Sequence, residues 1–186
     1  GSEYCEATTE VYSTTALTEY QGSLYGFADK YNDPVLLSYA PDGTGIEELA
    51  AFRFPYTQSY IAAYCIHRGY IFCVIGLYDQ TEDTKDALTG NSTAVVRQGY
   101  AVTAYEIKTG KITTLLENMP EAGKTKHLNE PSAIWGIGDS LYLCTLHSNN
   151  STGDGITRLD LQTGKTEVAV DAKISDAAAS RTKILY

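Results

Sequence analysis

Two segments of the 186-residue chain concentrate side chains that could bind a ligand or transfer protons. Residues 79–99 read DQTEDTKDALTGNSTAVVRQG and are rich in carboxylates. Residues 118–136 read NMPEAGKTKHLNEPSAIWG and contain a histidine and the single tryptophan. Carboxylates and imidazoles are common general acids and bases, and they also bind metal ions. The candidate binding residues are Asp79, Glu82, Asp83, Asp86, His127, Glu130, Trp135 and His147.

Each candidate also has a plainer interpretation. The acidic segment lacks the D-x-[DN]-x-[DN]-G spacing of a calcium loop, and runs of charge are usually solvated. His127 and His147 could form an acid–base or metal pair, but two histidines without a third ligand are weak support for a metal site. Trp135 precedes Gly136 and Ile137 in a strand-like segment, which favours the core over a ligand platform.

Motifs for covalent catalysis and cofactor binding are missing from the sequence. It contains no G-x-S-x-G, no H-E-x-x-H and no phosphate-cradling glycine loop. We therefore predict no catalytic residue, no metal site and no cofactor; a non-enzymatic role is favoured, and the question of catalysis stays open.

The composition argues against two kinds of partner. With 43% hydrophobic and 20% charged residues the chain is globular, and its net charge of −9, with scattered Lys and Arg, disfavours nucleic acid. The longest apolar run is YIFCVIGLY at Tyr70–Tyr78. A membrane-spanning helix needs about 20 apolar residues, so no transmembrane segment is predicted.

The four cysteines, Cys5, Cys65, Cys73 and Cys144, show no zinc-like spacing. Cys65 and Cys73 flank a tight turn, and they would face each other only across a loop of odd length. Because free cysteine is among the most buried residue types, buried thiols are the favoured interpretation, and the disulfide state stays open.

The elements that must position the candidate residues are short strands in a repeated pattern. Turns with a small or polar residue lead into apolar–aromatic strands, as in HRGYIFCV and IGDSLYLC. Glycine and aspartate suit such turns because glycine adopts positive φ and aspartate hydrogen-bonds its own backbone. A second series of turns follows, with Thr-Gly pairs at 44–45, 109–110 and 163–164.

This period predicts an all-β chain of β-propeller blades in a single domain, residues 1–186. The middle blade carries the insert 79–99, which is predicted to be a mobile loop, and His67 is predicted to be a solvated turn residue. The predicted parts are an N-terminal segment at 1–13, three four-stranded antiparallel blades at 14–52, 60–117 and 132–170, and part of a fourth blade at 173–186.

Two of the Thr-Gly stretches carry a family resemblance. LLSYAPDGTGIEEL, at 36–49, resembles the strand–D-G-(T/S)–strand repeat of bacterial propellers, both the TolB type and those similar to the YWTD propellers of low-density-lipoprotein receptors. LDLQTGK, at 159–165, resembles the D-x-x-T-G-K hairpin of many propellers, although SLYGFAD and SLYLCTL replace the YWTD tetrapeptide. The resemblance implies that loops joining second to third strands, and loops between blades, emerge on one ligand-binding face. It places 79–99, 118–136 and His147 on that face.

Two functions remain open. The first is a non-catalytic binding or scaffold propeller that engages a protein, peptide or glycan through this loop-bearing face, with an expected extracytoplasmic location (periplasmic, cell-surface, as a lipoprotein for example, or secreted). The alternative is a propeller hydrolase or lyase that uses His127, His147 and carboxylates of 79–86 as acid–base groups. The lack of a catalytic motif favours binding.

The predicted blade number has a consequence for association. Closed propellers have four to eight blades, so we expect part of a longer propeller or an open array that associates with another copy. Gly1-Ser2 is typical of a cloning scar, and a leader is expected to be absent from this sequence.

Overall fold

Every regular element in the described part of the chain is a β-strand, which confirms the predicted all-β class. The computed structural model describes residues 17–42, 44–82, 94–121, 126–146, 155–171, 174, 178–179 and 184–185. The strands are β1 (Thr18–Tyr20), β2 (Ser23–Lys30), β3 (Asp33–Tyr39), β4 (Ile46–Ala51), β5 (Gln58–His67), β6 (Tyr70–Glu82), β7 (Ala94–Glu106), β8 (Ile112–Asn118), β9 (Lys126–His127), β10 (Ala133–Ile137), β11 (Ser140–Thr145), β12 (Gly155–Asp160), β13 (Thr166–Val170), β14 (Ala178–Ala179) and β15 (Ile184–Leu185).

Three sheets each contain four sequential antiparallel strands, which confirms the predicted grouping by fours; the second sheet also includes β9, and β14 and β15 form a separate two-stranded sheet. The chain divides into two compact units, Gly1–Arg53 and Phe54–Tyr186. The first unit contains the first sheet, β1 to β4. The second unit contains the second sheet (β5 to β8), the third sheet (β10 to β13) and the β14–β15 hairpin, and β9 pairs with β7 in parallel.

Two-residue turns join the first and second strands of each sheet. Gln21 and Gly22 have φ values of 51° and 81°, and Arg68 and Gly69 have values of 50° and 80°. Positive φ at both positions matches the twist of the flanking strands, which is why such turns are favoured in tight hairpins. The third sheet turns at 138–139, where Gly138 has a φ of 59°.

The acidic residue and the threonine of the Thr-Gly turns bind each other. Asp160 Oδ1 accepts hydrogen bonds from the Thr163 amide (2.9 Å) and hydroxyl (3.0 Å). Asp42 Oδ1 does the same with the Thr44 hydroxyl (2.7 Å) and amide (3.0 Å). These threonine bonds lower the pKa of both carboxyl groups below the usual range. The motif is therefore explained by the turn itself, since a capping carboxylate satisfies the local backbone.

The fourth strands of the three sheets, β4, β8 and β13, which we term the outer strands, share a backbone irregularity. In each sheet the pairing of the third and fourth strands slips by one residue, so that one residue of the outer strand is left unpaired. The slips fall between Leu36 and Leu37, between Val102 and Thr103, and between Ile156 and Thr157. A β-bulge at the same place in three sheets twists each outer edge, which discourages edge-to-edge pairing.

Within the second unit, a hydrophobic core joins the second and third sheets. It consists of buried aliphatic and aromatic side chains from both sheets, principally Phe72, Val74, Val102, Ile134, Leu141, Leu143 and Leu159. The alternate residues of these strands face this core because side chains in a strand alternate between its two faces. The first unit has its own cluster of Ala28, Val35 and Leu37 on the first sheet.

His67 is not the solvated turn residue that the sequence predicted. It ends β5 half-buried, and its imidazole lies directly over Gly136 in β10. Its Nε2 is 2.9 Å from the carbonyl oxygen of Gly138, and the neighbouring Arg68 pairs with Asp139. The histidine contacts the third sheet because the end of β5 lies against the end of β10 and the turn that follows it.

The insert 79–99 is partly regular structure rather than only a loop. β6 and β7 continue into it, and their ladder runs from Asp79–Arg97 to Glu82–Ala94. Residues 83–93 lie outside the described part of the chain, so their mobility stays a prediction. The β6–β7 hairpin is therefore longer than the corresponding hairpins, β2–β3 and β11–β12, of the other two sheets.

Cys73 and Cys144 are buried free thiols, as the favoured interpretation predicted, whereas the free thiol of Cys65 is only half-buried; Cys5 lies outside the described residues. The two-residue turn at 68–69 places Cys65 opposite Phe72 and Cys73 opposite Tyr64, so the two thiols do not face each other. Burial raises the pKa of the Cys65 thiol to about 12, and it also raises the pKa of the Cys73 thiol. Neither thiol is a nucleophile near neutral pH.

Candidate functional site

The candidate site lies at one end of the second sheet, where three chain connections meet. The residues that enter β5, the β6–β7 extension and the connection from β8 to β10 all contribute polar side chains there. The opposite end of the same sheet has only the tight turns at 68–69 and 107–111. The longer connections are thus concentrated at one end.

The first polar group of this end, which we term the Arg97 cluster, is built around the buried carboxylate of Asp79. Asp79 and Arg97 are direct partners across β6 and β7, and they form an ion pair in which the side chains are only 12% and 16% exposed. Arg97 also donates to the Pro120 carbonyl at 3.0 Å, and the Thr57 hydroxyl donates to Asp79 at 3.4 Å. One arginine therefore ties β6, β7 and the segment that follows β8.

Thr57 and Tyr56 complete this cluster from the segment before β5. The Thr57 hydroxyl accepts a hydrogen bond from the Gln80 amide at 2.9 Å, beyond the point where β5 stops pairing with β6. The Tyr56 hydroxyl donates to Glu117 Oε1 at 2.6 Å. Burial, then the hydrogen bond to Glu117 and the negative charge of Glu117, raise the pKa of Tyr56 to about 12, because all three disfavour the phenolate. Tyr56 is a hydrogen-bond donor throughout the neutral range.

The second polar group, which we term the Tyr60 cluster, contains Tyr60, Gln98 and Glu130. The Tyr60 hydroxyl donates to Glu130 Oε1 at 2.9 Å, while Gln98 Nε2 lies 3.3 Å from Tyr60 Oη and 3.3 Å from Glu130 Oε2. The Tyr60 ring lies flat on Gly76, where a Cβ atom would stand 2.3 Å from the ring. Burial, and then Glu130, raise the pKa of Tyr60 to about 12.

The backbone of β7 positions Glu130. After β8 the chain returns to β7, where β9 pairs in parallel at Arg97–Lys126 and Gln98–His127. The Leu128 amide then donates to the Gln98 carbonyl at 2.8 Å. These bonds bring the carboxylate of Glu130 over the face of the sheet on which Gln98 lies.

The two clusters lie on opposite faces of the second sheet. Arg97 and Gln98 are consecutive residues of β7, and consecutive side chains of a strand point to opposite faces. Asp79 belongs to the Arg97 cluster and Glu130 to the Tyr60 cluster. Asp79 and Glu130 are therefore at the same end of the sheet, but they are not brought together for paired acid–base chemistry.

The other predicted residues have separate positions. Trp135 lies in β10, half-buried against a cluster of Cys144, Ile156 and Ile174, as the core interpretation predicted. Glu82 lies in β6 and His127 in β9, and only the backbone of these two residues is described. Asp83, Asp86 and His147 lie outside the described residues.

Several residues of this end were missed by the sequence analysis. Arg97, Gln98 and Tyr60 acquire their roles from strand register, and register across residues 83–93 cannot be counted from the sequence.

Tyr31, in the first unit, was also missed. It occupies the two-residue β2–β3 turn with a φ of 55°, and it is 73% exposed. A large aromatic residue in the left-handed region is uncommon.

Among the side chains that are described, no group of three His, Cys, Asp or Glu residues is arranged to hold a metal ion. The described residues also contain no helix that is long and apolar enough to cross a membrane. Compared with known proteins, the chain matches no family model and no curated sequence.

Proposed function

We propose that the three sheets are blades of a β-propeller of the TolB or YWTD-like type, and that the protein is a non-catalytic binding or scaffold protein. Its loop-bearing end would engage a protein, peptide or glycan. The observation that carries this proposal is the difference between the two ends of the second sheet. One end has minimal turns, whereas the other carries the longer connections, whose described ends are tied to the sheet by the Arg97 and Tyr60 clusters.

The blade assignment is supported by features that recur between sheets. Each sheet has four sequential antiparallel strands, and each outer strand has its β-bulge at the equivalent position. The turn bonds also recur: the amides of Ala40, Glu106 and Asp160 donate to the carbonyls of Gly45, Lys111 and Lys165 at 2.9–3.0 Å. Repeated four-stranded sheets with short turns are typical of propellers.

Binding rather than catalysis is proposed because the two candidate carboxylates whose side chains are described at this end, Asp79 and Glu130, are engaged within the protein. Asp79 pairs with Arg97, and Glu130 accepts bonds from Tyr60 and Gln98. A general acid or base must instead reach a substrate directly or through one water. Anchoring the described ends of the connections in this way lowers the entropy that a ligand-binding surface loses when it associates.

The sequence resemblance supports the proposed location outside the cytoplasm. Self-association stays a prediction, and light scattering at tens of micromolar would test it: a mass of about 20 kDa would contradict it.

Binding can be tested with peptide and glycan arrays and a matched pair of variants. In the first variant, a two-residue Asn-Gly turn joins Glu82 to Ala94, which keeps the Asp79–Arg97 ladder intact. The second, Lys165→Ala, removes an exposed charge from the turn at the opposite end of the third sheet. We expect the parent protein to bind a ligand on one array, the shortened variant to lose at least about tenfold in affinity (about 1.4 kcal/mol), and Lys165→Ala to bind unchanged.

Three results would overturn the proposal. They are an absence of binding on both arrays, loss of binding in Lys165→Ala but not in the shortened variant, and turnover of a bound glycan or peptide. Turnover would support the hydrolase or lyase alternative. Thermal unfolding of both variants must show that they remain folded.

A further inference from the structure

We draw no further inference here: the strongest candidate, the exposed side chain of Tyr31 on the two-residue β2–β3 turn, is a single aromatic residue, and nothing in the structure shows what would cover it.

Discussion

Gly136→Ala tests the contact between the second and third sheets. A Cβ atom at Gly136 would lie 2.2 Å from Cγ, 2.5 Å from Cβ and 2.6 Å from Cδ2 of His67. Rotation of the imidazole relieves the contacts of the ring atoms, but it leaves His67 Cβ where the β5 backbone places it. The added methyl group can therefore be accommodated only if β5 and β10 move apart.

The expected cost follows from the apolar core beside this contact. Overpacking a well-packed site costs about 1–3 kcal/mol, and a site that must shift backbone lies at the upper end. Separating the strands also weakens the 2.9 Å bond from His67 Nε2 to the Gly138 carbonyl. We expect a loss of about 3 kcal/mol in the free energy of unfolding. At about 2–4 °C per kcal/mol for a chain of this size, Tm falls by about 6–12 °C.

Calorimetry on four proteins would check this expectation: the parent, Gly136→Ala, His67→Gly and the double variant. Because His67→Gly removes both the ring and the Cβ atom that obstruct the new methyl group, the double variant should be more stable than the sum of the single effects predicts. Gly45→Ala is the matched control, since its nearest contact would be Ala40 Cβ at 3.9 Å, and it should leave Tm nearly unchanged. A Tm for Gly136→Ala within about 1 °C of the parent, or strictly additive effects, would refute the reasoning.

Three further predictions concern the clusters and the exposed turn. Arg97→Met should cost about 3 kcal/mol in denaturant unfolding because it leaves the buried carboxylate of Asp79 unpaired, and adding Asp79→Leu should recover most of that loss; an equal loss in the double variant would contradict this. With a folded pKa of about 12 against an unfolded value near 10, Tyr60 contributes stability that is complete below about pH 10 and lost as the pH rises through 12. Tyr60→Phe should therefore flatten the alkaline fall in Tm and remove one late-titrating phenol, and an unchanged titration would contradict the raised pKa that burial and the contact with Glu130 give to Tyr60. Tyr31→Asn should keep or raise the stability by up to about 1 kcal/mol because asparagine tolerates positive φ, whereas a clear fall in Tm would show that the ring stabilises the fold.

The sequence was sufficient to predict the sheets because their turns are local. Gly69, Gly110 and Gly164 adopt positive φ, and Asp160 caps the turn that contains Thr163. Such turns depend on a few neighbouring residues, so they can be predicted from a short stretch of sequence. The grouping of strands by fours follows from the order of these turns.

The candidate site could be predicted only in part, because its contacts depend on tertiary structure. Asp79 and Glu130 were identified as polar residues of the long connections. Their partners, Arg97 and Tyr60, are 18 and 70 residues distant in the chain. His67 was misinterpreted for the same reason: its environment is created by Gly136, in a different sheet.

The two clusters also determine how binding must be tested. Arg97 and Gln98 are adjacent in β7, so this strand is held from both faces at the point where the connections diverge. A substitution of Arg97 would change the free energy of unfolding and the shape of the loop-bearing end together, and a loss of binding would then have two causes. Shortening the chain between Glu82 and Ala94 leaves both clusters in place. A loss of binding at constant Tm in that variant can be assigned to the ligand-binding surface itself.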